Sequence, residues 1–155
     1  MRSDCTRWAT AAVAALAIFA VAGCGSTTTT TSANASPAAS VKASGDSIAL
    51  SDLKVALSPT LKAGSHTFTI TNKGAVIHEL LVFKSALDVS KYPTESDGSI
   101  AEDASGITKI SDGDNLDPGQ SQTRTVDLSQ PGTYLFVCNI PGHFAAHMYE
   151  VVTVS

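Results

Sequence analysis

Residues 138–148 read C-N-I-P-G-H-F-A-A-H-M, and three of their side chains are donors of the kind that hold soft transition metals. Cys138 offers a thiolate, His143 an imidazole five residues on, and Met148 a thioether five beyond that. Imidazole and thiolate in a trigonal plane, with a weak thioether on the axis, form the donor set of a one-electron copper site. A second imidazole is required, and His78, far upstream, can supply it. Pro141-Gly142 makes the sharp turn that returns the His143 ring towards the sulfur.

The rest of the cysteine inventory isolates that thiol. The chain of 155 residues holds three cysteines. Arg2 and Arg7 precede an apolar run over residues 9–22, shorter than the roughly 20 residues a spanning helix needs, so residues 1–23 read as an export signal. Val21-Ala22-Gly23-Cys24 resembles a bacterial lipobox, which implies cleavage before Cys24 and a diacylglyceryl group on its sulfur. Several acyl chains on one residue anchor a protein stably where one chain does not. Cys5 then leaves with the signal, Cys24 carries lipid, and Cys138 is the sole free thiol. A lone thiol in an oxidising compartment needs protection or use, and a metal bond provides both.

Residues 24–45 are almost wholly Ser, Thr, Ala, Asn and Pro, with five consecutive threonines at 27–31. Such a composition cannot build a core and predicts a disordered tether with a reach of roughly 25 Å. Together with the lipobox it places the remaining domain, residues 46–155, on the outer face of a bacterial cell membrane. That domain carries seven Lys and Arg against thirteen Asp and Glu, and the whole chain a net charge of −4. A nucleic-acid binder would show a basic face instead.

Period-two alternation dominates the domain. Residues 66–71 place a threonine at every second position; residues 121–128 and 47–57 fit weaker strands, and 151–154 closes the chain. Residues 133–138 are apolar on both faces, as in a central, covered strand. Residues 76–83 read as one strand interrupted by His78-Glu79. Turn signals separate these runs, among them Asn72-Lys73-Gly74 and Gln130-Pro131-Gly132, and the pattern predicts an all-β antiparallel sandwich. Residues 84–115 are polar and long, and read as a surface excursion with a short helix near 85–91.

A strand ending in Asn72-Lys73-Gly74, then His78, then Pro131-Gly132-Thr133-Tyr134 leading into C-x4-H-x4-M, resembles the cupredoxin family over nearly all of residues 46–155. The similarity is to its small periplasmic and membrane-anchored members, related to plastocyanin, auracyanin and sulfocyanin. The resemblance implies a Greek-key β-sandwich with one type 1 copper at one pole, held by His78, Cys138, His143 and Met148. It implies a monomeric carrier of single electrons between redox partner proteins, and a docking surface of small apolar residues near Phe144, Ala145 and Ala146. Plain loop packing is the alternative reading of those three.

Two positions depart from the family pattern. His147 stands where glycine is frequent; it reads as solvent-facing, with replacement of Met148 on the axis as the alternative. Glu79 stands where many relatives carry asparagine, next to a ligand position that usually receives outer support.

Other chemistries fit less well. His66 reads as a surface or edge residue. Asp112, Asp114 and Asp117 lack the glycine and terminal glutamate of a calcium loop. The acidic stretch around Glu102 and Asp103 reads as a solvated loop. Zinc disfavours methionine, and a Cys138/His143 thiol hydrolase would leave Met148 without a role. Multicopper oxidases need further His-x-His pairs, so no enzyme is expected. A copper-binding lipoprotein that captures or delivers the ion without electron transfer is the alternative to the carrier.

Overall fold

The computed structural model describes residues 46–155; the expected signal, the lipid site at Cys24 and the tether lie outside the described residues. Four strands form the first sheet in the order β2 (Lys54–Ala56), β1 (Asp46–Ser51), β4 (Gly64–Asn72), β7 (Ser121–Leu128). Five form the second, in the order β3 (Thr60–Leu61), β9 (Tyr149–Val154), β8 (Gly132–Val137), β5 (Leu81–Lys84), β6 (Thr108–Ser111). The β-sandwich that the alternation predicts is present, with the Greek-key arrangement that the resemblance implies. Both sheets are mixed, because β1 runs parallel to β4 and β3 runs parallel to β9.

Strand β4 shows how the alternation works. Phe68 and Ile70 are buried, whereas Thr67 and Thr71 meet Thr125 and Ser121 of β7 through hydroxyl pairs at 3.0 and 2.8 Å. Ile48, Leu50, Phe68, Ile70, Val126 and Leu128 of the first sheet face Val82, Tyr134, Phe136, Val152 and Val154 of the second. Phe68 and Phe136 meet edge to face at 5.7 Å. Such aromatic pairs contribute about 0.5–1.5 kcal/mol beyond their buried area.

Strand β8 is the middle strand of its sheet and is covered on both faces, as its two apolar faces predict. The cover comes from the long excursion. Tyr92, Ile100 and Ile107, with Phe144, pack on the outward side chains of Leu81, Phe83, Leu135 and Val137. The excursion is therefore a second core layer, and it also contributes the edge strand β6. Its expected helix is only a 3-10 turn, Val89–Lys91, capped by Asp88.

Two further boundaries differ from expectation. Residues 47–57 are not one strand; a two-residue turn at Asp52-Leu53 divides β1 from β2, with Leu53 at φ 60°. Residues 76–83 are strand only from Leu81. Val76 and Ile77 are 50 % and 44 % exposed, because this stretch carries the chain from one sheet to the other. His66 lies within β4, stacked on Phe68 and close to Asp46 Oδ2 (3.1 Å), far in role from the loop donors.

Candidate metal centre

The loop after β8 is closed by its own backbone. Cys138 N–H donates to Met148 O (3.0 Å), Met148 N–H to His143 O (3.0 Å), and His143 N–H to Ile140 O (2.9 Å). Gly142, at φ 81°, adopts the left-handed conformation that an L side chain resists, and it makes the turn before His143. Cys138 and Met148 thus become cross-loop neighbours, and both are fully buried among the core side chains.

His78 arrives from the connection between the sheets. Its N–H donates to Leu116 O (3.1 Å) and its carbonyl accepts from Leu116 N–H (2.7 Å), a two-bond bridge outside either sheet. Asn72, wholly buried at the end of β4, locks this bridge. Its Nδ2 donates to Val76 O and Leu116 O, both at 2.8 Å, while its Oδ1 accepts from Gly74 N–H (2.8 Å).

The result is convergence. His78 Nδ1 lies 3.3 Å from His143 Nδ1 and 3.8 Å from Cys138 Sγ, and His143 Nδ1 lies 3.2 Å from the same sulfur. Among the described residues this is the one group of His, Cys, Asp or Glu able to surround a metal ion. His78 and Cys138 are buried and His143 is half-buried at the surface. Burial, then the neighbouring His78, holds His143 below the usual imidazole range, so its ring is neutral and its lone pair is free to donate. Burial pushes the Cys138 thiol up, opposed by the N–H groups of Glu79 and Ile140. The Glu79 N–H itself points at Sγ from 3.5 Å. Glu79 carries a carboxyl raised to about 7, first by burial and then by the charges of Glu102 and Asp112.

Several supporting residues are invisible to motif reasoning. Asn139, the residue after Cys138, is buried and clamps the excursion: its Oδ1 accepts from Ile100 N–H (2.6 Å), and its Nδ2 donates to Ile100 O (3.2 Å) and Glu102 Oε1 (3.0 Å). Lys109 pairs with Glu102 (2.6 Å) and Asp112 (2.8 Å), so the acidic stretch is tied down by its own cation. Asp52 reaches the His78 ring from the β1–β2 turn.

His147 faces solvent, with Nδ1 3.2 Å from the Tyr149 hydroxyl, and stands apart from the donor cluster. Its φ of 66° explains why glycine suits this position: the backbone is left-handed there, at a cost of about 1–2 kcal/mol for a side-chain residue. His147→Gly therefore leaves the visible spectrum of the copper-loaded protein unchanged, whereas His147→Val lowers the apo-protein melting temperature by several degrees; a shifted band in the glycine variant would place the imidazole in the centre. Phe144 is buried against Tyr92 and Tyr149, so it is packing, while Ala145 and Ala146 remain exposed beside His143.

Two imidazole nitrogens and a thiol at mutual contact distances, with a buried thioether donor in the same loop, suit copper better than zinc or a hard cation. The chain matches the family described as copper binding proteins, plastocyanin/azurin family, over residues 39–155. Its structure resembles dithionite-reduced auracyanin from Roseiflexus castenholzii (TM-score 0.54, 28 % identity), over 70 % of this chain and 94 % of that one. Auracyanin B (0.51, 21 %, 70 % and 86 %) and rusticyanin from Thiobacillus ferrooxidans (0.51, 16 %, 70 % and 76 %) share the fold. No curated protein sequence matches the chain.

Proposed function

Because the chain belongs to the plastocyanin/azurin family of copper-binding proteins and takes one type 1 copper, we propose that it is a membrane-anchored, extracytoplasmic carrier of single electrons. In this reading His78, Cys138, His143 and Met148 hold the ion, and Cys24 carries the lipid. The observation that supports it is the convergence of two imidazole nitrogens and one thiol at 3.2–3.8 Å on a backbone-closed loop.

Copper so bound supplies reversible one-electron chemistry, with an intense thiolate charge-transfer absorption. The protein does the rest. Backbone bonds across the loop and the Leu116 bridge fix the donors from both sheets, so their positions need not change between oxidation states. Cys138 links the centre covalently to β8, the middle strand of its sheet. His143 is the donor that reaches the surface, and exposed Ala145 and Ala146 beside it allow a partner's close approach. The lipid and a roughly 25 Å tether keep the domain near membrane redox complexes.

No catalytic step is assigned: residues 46–155 contain four histidines, two of them committed to this centre, too few for additional metal centres. Adding Cu(II) to the purified protein yields a stoichiometric blue species with a narrow copper hyperfine splitting and reversible voltammetry. A colourless site that accepts only Cu(I) would overturn the carrier and support copper capture or delivery.

A further inference from the structure

We propose that Asp52 is a positioning residue for the metal centre, holding the buried His78 ring in the tautomer that leaves Nδ1 as a donor and favouring the oxidised ion through its charge. The inference rests on the proposed function and names a part of the centre that lies outside the ligand loop.

Both ring nitrogens of His78 are accounted for. Nδ1 faces Cys138 and His143, while Nε2 lies 3.4 Å from Asp52 Oδ1. A carboxylate has no hydrogen to give, so Nε2 carries the N–H and Nδ1 keeps the lone pair. The ring is wholly buried, so no water competes for that hydrogen.

Three features hold the carboxylate there. Oδ1 also accepts from Ala75 N–H at 3.0 Å, fixing its direction. Asp52 occupies the tight turn between β1 and β2, where Leu53 adopts φ 60° and leaves its side chain 54 % exposed. Gly74 leaves the necessary room: a Cβ there would stand 2.5 Å from Asp52 Oδ1 and 2.6 Å from His78 Nε2. The turn carries the carboxylate to the ring, and Gly74 is the one residue whose missing side chain leaves the carboxylate–imidazole contact open. An exposed, merely solubilising aspartate requires no such gap.

The chemistry follows from the charge. A carboxylate hydrogen-bonded to the far side of a ligating imidazole orients the ring and makes it a stronger donor, and loss of such a partner typically costs 10- to 100-fold in metal affinity. Cu(II) carries one more positive charge than Cu(I), so a nearby anion stabilises the oxidised form more. The carboxylate is 58 % exposed, which screens the effect and keeps it at the lower end.

Copper-loaded, full-length Asp52→Asn and Asp52→Ala proteins test this by voltammetry and by Cu(II) competition with a chelator. Asn keeps an oxygen for Ala75 and removes only the charge. It retains the blue band, while the preference for Cu(II) over Cu(I) falls about tenfold, which is a rise in potential of about 59 mV for one electron. Ala raises the potential similarly and also weakens Cu(II) binding about 10-fold or more. A purely structural turn residue would lower the melting temperature of both variants and leave the potential where it was. A blue wild type whose variants keep its potential and affinity overturns this inference alone; a wild type with no blue species removes the proposed function and this inference together.

Discussion

Cys138→Ser abolishes the visible charge-transfer band and the narrow hyperfine pattern while the sandwich stays folded. The band belongs to the sulfur, since an alkoxide or hydroxyl oxygen is a harder donor that binds soft copper poorly. Sγ is fully buried and receives the Glu79 N–H at 3.5 Å, a donor that a serine oxygen can also accept from. The substitution therefore keeps a hydrogen-bond partner, and its folding cost stays near 1–2 kcal/mol, at the lower end for a buried hydroxyl. That is small beside the roughly 5–15 kcal/mol of a domain this size. Far-ultraviolet circular dichroism should match the wild type, and any residual copper should be pale with a wide hyperfine splitting. Proton counting gives an independent reading. Burial keeps the wild-type thiol protonated near neutrality, so Cu(II) uptake releases its proton, and the serine variant releases one proton fewer. A band that survives the substitution would remove Cys138 from the centre.

The loop was readable in the sequence because its geometry is local. Cys138, His143 and Met148 lie within one turn system that the backbone closes unaided, so spacing alone brings their positions together. Strands β4, β7 and β8 were readable for a similar reason, since alternation is a property of consecutive residues. The parallel pairings of β1 with β4 and β3 with β9 were not, because they join segments whose relation is fixed only by the whole topology. Hydropathy also misled at residues 76–80. Val76 and Ile77 look like strand residues, but the crossing between sheets takes them out of either ladder and leaves them exposed. The excursion failed in the opposite sense: Tyr92, Ile100 and Ile107 are isolated apolar residues in a polar stretch, and their role as a second core layer depends on sheet residues elsewhere in the chain. Asp52 carries no motif, and Asn72 stands in one only as a turn residue. Their value comes from what faces them, a buried ring in one case and two carbonyl groups in the other.

Asn72→Ala is expected to have the largest effect on the fold itself. The side chain is completely buried and makes three bonds in three directions, to Val76 O, Leu116 O and Gly74 N–H. Leu116 O keeps its bond from His78 N–H after truncation, but Val76 O and Gly74 N–H lose this side-chain partner. Leaving a buried polar group unpaired costs about 1–3 kcal/mol, and because both of these bonds are only part-buried each loss sits at the lower end, roughly 2 kcal/mol for the two. For a domain of this size the melting temperature of the apo-protein should fall by about 10–15 °C. Asn72→Asp separates this account from simple cavity formation. Aspartate fills the same volume and can still accept from Gly74, but it presents oxygen to two carbonyls that need a donor. It should destabilise at least as much as alanine, whereas a cavity argument expects it to be tolerated. The same bonds hold the Leu116 bridge that carries His78, so both variants should also bind Cu(II) more weakly, and excess copper should recover only part of the lost stability. An Asn72→Asp protein with wild-type melting behaviour would show that the amide donors are not what positions the loop.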